Sequence, residues 1–575
     1  MNLSSFQFRI RIVSVLVFVF ALILVSKLFF VQVIHKNLYT EKADRQYATP
    51  SSNIFDRGSI FFTKKDGSLV AAGTVSSGFK LAIKAKDIVD AEKTYESLAP
   101  YMELDHDAFT AKANKVNDPY EEVATHLTKE QVSAIDSMKI PGVSIFKEKW
   151  RFYPGNNMAS HTLGFVGYRG DELGGRYGLE RSYNEELSRN KDNPYLNFFA
   201  EVFTNLKDNL FDDDTREGDV VTSIEPQVQN LLEKELMAVK TKYGVDKIGG
   251  IIMDPMDGSI YALSVKPDFD PNNFSKIEGT NIFTNPLVEN VLEFGSVVKP
   301  LVMASAIDAG VVTANTTYND TGSVTVEKKI INNFDKKGRG PNTSMQEVLN
   351  QSLNTGMVFV FEKLGKQRMH DYMLSFGLKD KTGIDLPNET SGLVSGLTSN
   401  LKNARKIEYT NAAFGQGIAM TPFEMVRALA SLSNGGKLVT PHIVEKIKYP
   451  DGGEKEFTYD TVDTKISKET SEEITRMLVN VMDKSLKGGD AKLENYSIAV
   501  KTGTAQVAKD GGGGYYEDRH THSFFGYLPA YEPRFIVFLF AINPKGSQYA
   551  ATTWADPFLN ISKFLINYYE IPPDR

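Results

Sequence analysis

Three short motifs place hydroxyl, amine and amide groups at fixed spacings along the chain. A serine three residues before a lysine, a second serine two residues before an asparagine, and a lysine followed by threonine are the groups needed for acyl transfer through a serine ester without histidine. The motifs are, in chain order, Ser296-Val-Val-Lys299, Ser352-Leu-Asn354 and Lys501-Thr502-Gly503. Each motif alone is weak, but the ordered set predicts a serine acyltransferase.

The residues around Ser296 predict that this serine begins a helix. Glu293-Phe-Gly295 breaks the chain just before a dense apolar run at 301–307, which is typical of a buried helix. At a helix start, the unpaired backbone N–H groups and the helix dipole favour a developing negative charge. Lys299 would share a face with Ser296, at about 5–6 Å between Cβ atoms, where its amine can take the serine proton.

The Lys-Thr-Gly motif occurs twice, in different surroundings. Lys501 precedes Thr502 and Thr504 in a β-rich stretch, and the intervening glycine leaves room for another backbone to approach. Lys381 instead precedes a segment at 384–387 that ends in proline, which is typical of a helix exit into a loop. We therefore expect the copy at Lys501, on a strand beside the site, to be the functional one.

Length, charge and cysteine content exclude several classes of protein. A chain of 575 residues is too long for one ordinary core, so two or more domains are expected. The net charge of −7 gives no footprint for nucleic-acid binding. The absence of cysteine excludes disulfides, thiolate metal sites and cysteine nucleophiles. No His-Glu-x-x-His or Gly-x-Ser-x-Gly motif is present, which disfavours a zinc peptidase or a Ser-His-Asp hydrolase.

An apolar stretch near the N-terminus predicts a membrane anchor. Residues 12–34 contain only four polar side chains and are long enough to cross a bilayer. No small-x-small cleavage pattern follows, so we expect a retained span rather than a cleaved signal peptide. Two arginines precede the span and residues 1–11 contain no acid, which favours a cytoplasmic N-terminus and an exported catalytic part.

The remainder of the chain mixes α and β signals. A hairpin is expected around the turn at 64–67, and a domain boundary near Gly218. Strands are predicted early in the second domain, on both sides of the turn at 254–258, and late, at 523–528 and 534–541. An apolar stripe at helical spacing ends the chain and should pack on the sheet.

These motifs resemble those of the class B penicillin-binding proteins, the membrane-anchored serine D,D-transpeptidases of peptidoglycan. The likeness covers nearly the whole chain. Within the family, the chain resembles the division-type (FtsI-like) branch more than the elongation type. Two positions beside the nucleophile, Phe294 and Val297, depart from the commoner proline and threonine, and we expect them to reshape its rim. The further segments that carry the likeness are Arg57-Gly58, Arg151-Phe-Tyr-Pro154, His161-Thr-Leu-Gly-Phe165, Gly178-Leu-Glu180, Phe414-Gly-Gln-Gly417, Met420-Thr-Pro422 and Phe524-Phe-Gly-Tyr-Leu-Pro529.

The resemblance implies an α/β protein with a transmembrane helix, an extended α+β pedestal domain, and a penicillin-binding transpeptidase domain whose antiparallel sheet lies between helical layers. The expected limits are 1–11 for a cytoplasmic tail, 12–34 for the transmembrane helix, 35–217 for the pedestal (dimerisation-type) domain and 218–575 for the transpeptidase domain. It also implies a single-pass protein of the inner (cytoplasmic) membrane with an extracytoplasmic catalytic domain.

Roles for individual residues also follow from the resemblance. Ser296 is expected to attack the stem peptide, with Lys299 as base and Ser352 as proton relay. The backbone N–H groups of Ser296 and Thr504 are expected to form the oxyanion hole. The expected substrate-binding residues are Asn354, Lys501, Thr502, Gly503 and Thr504. No metal and no cofactor are expected.

The expected function is cross-linking of peptidoglycan stem peptides, lipid-linked or on nascent glycan, during septal cell-wall synthesis. Expected partners are a SEDS-type glycan polymerase and other cell-wall synthesis proteins, with β-lactams as inhibitors and no nucleic acid. Alternatives are an elongation-type class B transpeptidase, and a non-catalytic β-lactam sensor or divisome scaffold. A class A β-lactamase shares similar motifs, but the anchor and the pedestal argue against it.

Overall fold

The structure, a computed structural model, describes residues 56–189 and 217–575, apart from 116–117, 119, 171, 399–403 and 510–512, together with Phe18 and Phe20. The predicted tail at 1–11 and the rest of the predicted span at 12–34 lie outside these residues. Among the described residues, no helix has the length and apolar character needed to cross a bilayer. The described chain forms two compact units, Ser76–Trp150 and a larger one made of Asp56–Val75 and Arg151–Arg575.

The strands and helices are labelled in chain order. The strands are β1 (Ile60–Thr63), β2 (Leu69–Ile83), β3 (Glu121–Leu127), β4 (Val143–Phe152), β5 (Val166–Arg169), β6 (Glu172–Gly175), β7 (Asp219–Thr222), β8 (Lys247–Met253), β9 (Ile260–Lys266), β10 (Thr317–Asp320), β11 (Ser323–Val326), β12 (Lys329–Asn332), β13 (Gly340–Ser344), β14 (Lys437–Leu438), β15 (Val444–Lys448), β16 (Glu454–Glu456), β17 (Val462–Asp463), β18 (Ala499–Ala508), β19 (Tyr515–Leu528) and β20 (Phe535–Ile542). The α-helices are α1 (Ala91–Leu98), α2 (His106–Ala113), α3 (Lys129–Ser137), α4 (Ser160–Leu163), α5 (Gly178–Ser182), α6 (Asn184–Leu187), α7 (Pro226–Tyr243), α8 (Pro286–Glu289), α9 (Lys299–Asp308), α10 (Met345–Asn350), α11 (Asn354–Leu364), α12 (Lys366–Ser375), α13 (Ser395–Thr398), α14 (Lys406–Ala412), α15 (Pro422–Ala430), α16 (Lys468–Lys484) and α17 (Ala550–Tyr568).

The smaller unit packs three helices on strands around a core of its own. Its helices α1, α2 and α3 begin at side chains that accept a backbone N–H, namely those of Asp90, Asp105 and Thr128. The core residues are Leu81, Ile83, Leu98, Phe109, Ala113, Leu127 and Ile135. This unit therefore has the hydrophobic centre that an independently packed body requires.

The larger unit is built on a five-stranded antiparallel sheet in the order β18-β19-β20-β8-β9. On one face, Phe558 of α17 packs against Phe524 of β19, with ring centroids 4.7 Å apart. On the other face, Thr475 of α16 is hydrogen-bonded to the Tyr527 hydroxyl at 2.8 Å. The predicted antiparallel sheet between helical layers is therefore present.

A second sheet in the larger unit joins early and late parts of the chain. β1 pairs with β2 across the predicted turn at 64–67, and it also pairs in parallel with β7. β7 pairs in turn with β15, so it lies between β1 and β15. Segments separated by more than 150 residues thus share one set of main-chain hydrogen bonds.

A buried ion cluster fastens this sheet to the helices that follow it. The Glu180 carboxylate accepts hydrogen bonds from both Arg57 and Arg151 and from the Tyr153 hydroxyl. Arg57 and Glu180 are 3% and 0% exposed. Removing one partner of such a buried pair costs about 3–5 kcal/mol, so the cluster holds three distant segments together.

Candidate active site

The predicted nucleophile lies in a 3₁₀ turn, Gly295–Val298, immediately before α9. The α-helix therefore starts one turn later than the sequence suggested, at Lys299. Gly295 has a φ of 65°, and its N–H donates to the Gly415 carbonyl at 3.2 Å. A Cβ at Gly295 would lie 2.7 Å from the Thr504 carbonyl oxygen, so only glycine fits between the turn and β18.

Gly503 lets β18 lie directly against the nucleophile turn, as its place in the Lys-Thr-Gly motif predicted. A Cβ at this position would lie 2.4 Å from the Phe294 carbonyl oxygen and 3.0 Å from the Val297 nitrogen. Ser523, the β19 partner of Gly503, donates a hydrogen bond to the same Phe294 carbonyl at 2.6 Å. The strand and the turn are therefore held in fixed register.

The expectation that Phe294 and Val297 reshape the rim of the site is wrong. Both side chains are 0% exposed, and the Phe294 ring packs edge-on against Phe538 of the central sheet at 5.1 Å. They are core residues because the turn directs them inward, toward the sheet.

The Lys299 residue is 0% exposed, and among the described residues its side chain forms hydrogen bonds with the second motif alone. Its Nζ donates to the Ser352 carbonyl at 2.7 Å and to Asn354 Oδ1 at 2.8 Å, and lies 3.3 Å from Ser352 Oγ. Asn354 is the first residue of α11. The first and second motifs, 53 residues apart, thus meet at one amine.

Lys501 approaches the same serine from β18. Its Nζ donates to Ser352 Oγ and to the Thr502 carbonyl, both at 2.9 Å, and its side chain is 1% exposed. Ser352 has a φ of 54°, in the left-handed region that is unfavourable for residues with a Cβ. This backbone conformation places the Ser352 hydroxyl between the two lysine amines.

Burial changes the proton affinity of both lysines. It lowers the pKa of Lys299 well below its ordinary value, and the nearby charge of Lys501 lowers this pKa further. Burial also lowers the pKa of Lys501, to about 7. The lowered pKa of Lys299 favours its neutral amine, which is the state a general base needs.

Ser296 and the two threonines line the accessible part of the arrangement. Ser296 is partly exposed, and none of the hydrogen bonds of the described residues involves its hydroxyl. Thr502 and Thr504 are also partly exposed, and Thr504 Oγ1 accepts a hydrogen bond from the Ala550 N–H at the start of α17. The structure thus brings together Ser296, Lys299, Ser352, Asn354, Lys501, Thr502, Gly503 and Thr504.

The second Lys-Thr-Gly copy lies apart from this arrangement. Lys381 is exposed and lies in the loop between α12 and α13, as its sequence context predicted. The backbone N–H groups of Thr382 and Gly383 donate to the Glu389 carboxylate, which closes a local turn. This copy has no contact with the three motifs among the hydrogen bonds of the described residues.

Sequence reasoning missed a contact beside the nucleophile turn. The Tyr515 hydroxyl, at the start of β19, donates to the Glu293 carboxylate at 3.0 Å. These residues are 222 positions apart, and neither belongs to a motif that would have marked it. In the described part of the chain, no group of three His, Asp or Glu side chains is arranged to hold a metal ion.

Comparison with known protein families gives two matches. Residues 248–561, more than half of the chain, match the family model described as the penicillin binding protein transpeptidase domain. Residues 56–196 match the penicillin-binding protein dimerisation domain. The predicted boundary near Gly218 lies between these two matches and remains a prediction.

Individual relatives cover almost the whole chain. Stage V sporulation protein D of Bacillus subtilis is 29% identical over 97% of this chain and 85% of its own length. Peptidoglycan D,D-transpeptidase FtsI of Buchnera aphidicola is 24% identical over 97% of this chain and 95% of its own. The crystal structure of penicillin binding protein 3 from Mycobacterium tuberculosis with aztreonam superposes with a TM-score of 0.68 at 20% identity, over 91% of this chain and 98% of that one. At this level of identity, the similarity to the solved structure is evidence for the fold alone.

Proposed function

The chain belongs to the class B penicillin-binding proteins, and on that premise we propose that it is a peptidoglycan D,D-transpeptidase that cross-links stem peptides through an ester on Ser296. One observation carries the proposal. The Ser352 hydroxyl lies between Lys299 Nζ and Lys501 Nζ, at 3.3 and 2.9 Å, beside the nucleophile turn. Three motifs spread over more than 200 residues converge there on one proton-transfer path.

In the proposed acylation step, Ser296 Oγ attacks the carbonyl carbon of the penultimate D-alanine and its proton passes to Lys299 Nζ. A neutral amine has two hydrogens and one lone pair. The two hydrogens of Lys299 meet the Ser352 carbonyl and Asn354 Oδ1, which leaves the lone pair to take the proton. The amide bond then breaks, and Ser352 relays the proton to the nitrogen of the departing D-alanine.

In the proposed second step, the amine of another stem peptide attacks the ester carbonyl. The amine loses a proton to the Lys299 and Ser352 pair, the ester bond breaks, and Ser296 Oγ regains its hydrogen. The backbone N–H groups of Ser296 and Thr504 are proposed to stabilise the oxyanion in both steps. The contact between Gly295 and the Thr504 carbonyl supports this, because it keeps the two backbones adjacent.

The substrate is proposed to bind along the edge of the central sheet. β18 pairs with β19 on one side only and ends the strand order, so its other edge can accept an extended peptide by β-augmentation. Lys501, with Thr502 and Thr504, would hold the terminal carboxylate. Burial lowers the pKa of Lys501 to about 7, and a substrate carboxylate beside the Lys501 ammonium would favour its charged form and raise this pKa.

Turnover of a synthetic stem peptide tests the proposed reaction. We expect the purified protein to release D-alanine from a peptide ending in D-Ala-D-Ala and, with an amine acceptor, to form a cross-linked product, whereas Ser296→Ala protein does neither. Covalent labelling by penicillin without any turnover would favour the alternative of a β-lactam sensor or divisome scaffold. Absence of both would refute the proposal.

The two Lys-Thr-Gly copies should differ sharply when mutated. We expect Lys501→Ala to slow acylation by penicillin about 100-fold, because it removes the cation for the carboxylate and one of the two amines that hold Ser352. Lys381→Ala, the matched control in an exposed loop, should change the rate less than about twofold. The measurement is the acylation rate constant of both variants. Equal losses, or a larger loss for Lys381→Ala, would mean that the wrong copy was chosen.

We further propose a role in septal wall synthesis with a SEDS-type glycan polymerase as partner. The relative named FtsI, together with the full-length match to it, supports this subtype. The competing candidate is an elongation-type enzyme, and a relative named MrdA from Acinetobacter baumannii is 27% identical over 93% of this chain. A fluorescent fusion found along the lateral wall, and absent from division sites, would decide against the septal role.

Residues 12–34 are proposed to remain as a transmembrane anchor, with the N-terminus in the cytoplasm and the catalytic domain outside the inner membrane. The support is the length and apolar composition of this stretch, and the location of peptidoglycan outside the membrane. N-terminal sequencing of the mature protein tests retention. A mature chain that starts after residue 34 would contradict the anchor.

A further inference from the structure

Asp320, at the end of β10, is a buried carboxylate whose hydrogen-bond donors are neutral and which also interacts electrostatically with the Arg339 guanidinium. It is 2% exposed, and both of its oxygens accept hydrogen bonds. The donors are the Gly322 N–H at 3.0 Å, the Arg339 N–H at 3.0 Å, Asn333 Nδ2 at 3.0 Å to each oxygen, and Thr355 Oγ1 at 2.8 Å. A buried carboxylate needs hydrogen bonds to replace the water it has lost. Asp320 therefore fixes the positions of the groups that donate to it.

Two of these donors border the active-site asparagine. Thr355 follows Asn354 in α11, and its N–H donates to Asn333 Oδ1 at 3.2 Å. Asn332, the residue before Asn333, accepts a hydrogen bond from Asn354 Nδ2 on its carbonyl oxygen at 2.9 Å. Asp320 thus fixes two elements around Asn354. One is the Asn332–Asn333 segment, which contacts the Asn354 NH₂ group, and the other is the first turn of α11, which carries Asn354.

The other end of that amide meets the general base. Because Nδ2 of Asn354 donates to the Asn332 carbonyl, its Oδ1 is directed to Lys299 Nζ, 2.8 Å away. An amide turned by half a rotation would direct its NH₂ group to Lys299 instead. Lys299 would then face a donor and lose one of its two oxygen acceptors, which it needs to keep its lone pair turned toward the reacting proton.

We propose that Asp320 is a positioning residue for the transpeptidase reaction. By fixing Asn333 and Thr355, it holds the Asn354 amide with its oxygen toward Lys299. The inference rests on the proposed function, since it assigns Asp320 a role in the step that acylates Ser296. Asp320 itself touches none of the reacting groups among the contacts of the described residues.

The test is the pH dependence of acylation by fluorescent penicillin in Asp320→Asn protein. The substitution keeps the shape but places an NH₂ group where only acceptors fit, so the network must rearrange. We expect the acylation rate constant to fall on the order of 10²-fold, the size of loss that a displacement of about 1 Å in an active site causes. We also expect the acid limb of the pH profile to move to lower pH.

The direction of that shift follows from hydrogen bonding to Lys299. Donation to Asn354 Oδ1 stabilises the ammonium more than the amine, so loss of this acceptor lowers the pKa of Lys299. Among the described residues, Lys501 is the one charged group that shifts the pKa of Lys299. The Asp320→Asn substitution leaves Lys501 in place. A merely structural role for Asp320 would lower the rate, or the melting temperature, without moving the limb.

Asp308→Asn is the matched control. Asp308 ends α9, and its carboxylate also accepts from neutral donors, the Tyr372 hydroxyl, the Ser467 N–H and Thr470 Oγ1. None of these donors bonds to a residue of the three motifs. This variant should lose thermal stability while keeping the wild-type acid limb.

Thr355→Val protein keeps the test decisive if Asp320→Asn protein does not fold. It removes the hydroxyl that contacts Asp320, Asn333 Oδ1 and the Tyr318 hydroxyl but keeps the Asp320 carboxylate, and its acid limb should move in the same direction by a smaller amount. A wild-type acid limb in whichever of the two folded variants is measured would overturn the inference. A wild-type protein that neither takes up penicillin nor turns over the stem peptide would instead overturn the proposed function, so the two failures are distinguishable.

Discussion

Ser296→Ala protein should take up no penicillin and show no transpeptidation, a loss on the order of 10⁶-fold for removal of a serine nucleophile. The reason is that the proposed acyl group is carried by Ser296 Oγ alone. Ser296 is partly exposed and lies in the turn that packs against β18 and immediately precedes Lys299 of α9. Mass spectrometry of intact protein and of a protease digest measures the adduct and its position.

Ser77→Ala protein is the control for that experiment. Ser77 and Lys80 have the same spacing as the first motif, but Lys80 is paired with Glu122 and Ser77 lies in strand β2. This variant should be acylated at the wild-type rate. An adduct found on Ser77, Ser144, Ser188 or Ser399 in the wild-type protein, or no adduct at all, would refute the assignment of the nucleophile.

Lys299→Met protein should be acylated about 10²–10⁴-fold more slowly, the contribution expected of a positioned general base. Methionine is a better test than alanine because Lys299 is 0% exposed, and an alanine would also leave a cavity. The methionine leaves the Ser352 carbonyl and Asn354 Oδ1 without their donor, which costs about 1–3 kcal/mol in stability. Thermal unfolding must therefore accompany the rate measurement.

The pH profile of the wild-type protein tests the same role. Below the pKa of Lys299 the amine is protonated and cannot accept the Ser296 proton, so acylation should slow as the pH falls through that pKa. Burial and the charge of Lys501 hold the pKa of Lys299 well below the ordinary value for lysine. The acylation rate should therefore fall only at a pH well below that ordinary value. Lys299→Met protein should lack this acid limb. A folded variant that keeps the limb, or the native rate, would show that another group is the base.

The sequence was sufficient to predict the local elements that carry the motifs. A glycine between two threonines indicated a strand in close contact with another backbone, and Gly503 indeed lies against the Phe294 carbonyl. The strands around the turn at 254–258 and those after Lys501 also form as expected, because continuous apolar runs between turn signals specify buried strands.

Features that depend on distant contacts could not be predicted. The left-handed conformation of Ser352 and the burial of Lys501 arise where α9, α11 and β18 meet, and no local pattern reports such a junction. Phe294 was assigned to the rim because it replaces the commoner proline beside the nucleophile, whereas its ring belongs to the core of the sheet. Asp320 has no motif around it, and its role depends on contacts 13 to 35 residues away.

The position of β7 between β1 and β15 determines where this protein can be divided. A fragment that begins at Gly218 would keep every motif residue but would lose β1, and with it the parallel partner of Val220 and Val221. The exposed row of main-chain donors and acceptors would then be free to pair with another molecule, the usual origin of edge-to-edge aggregation. We therefore expect a soluble catalytic fragment to need the segment around Ile60–Thr63 in addition to the residues after Gly218.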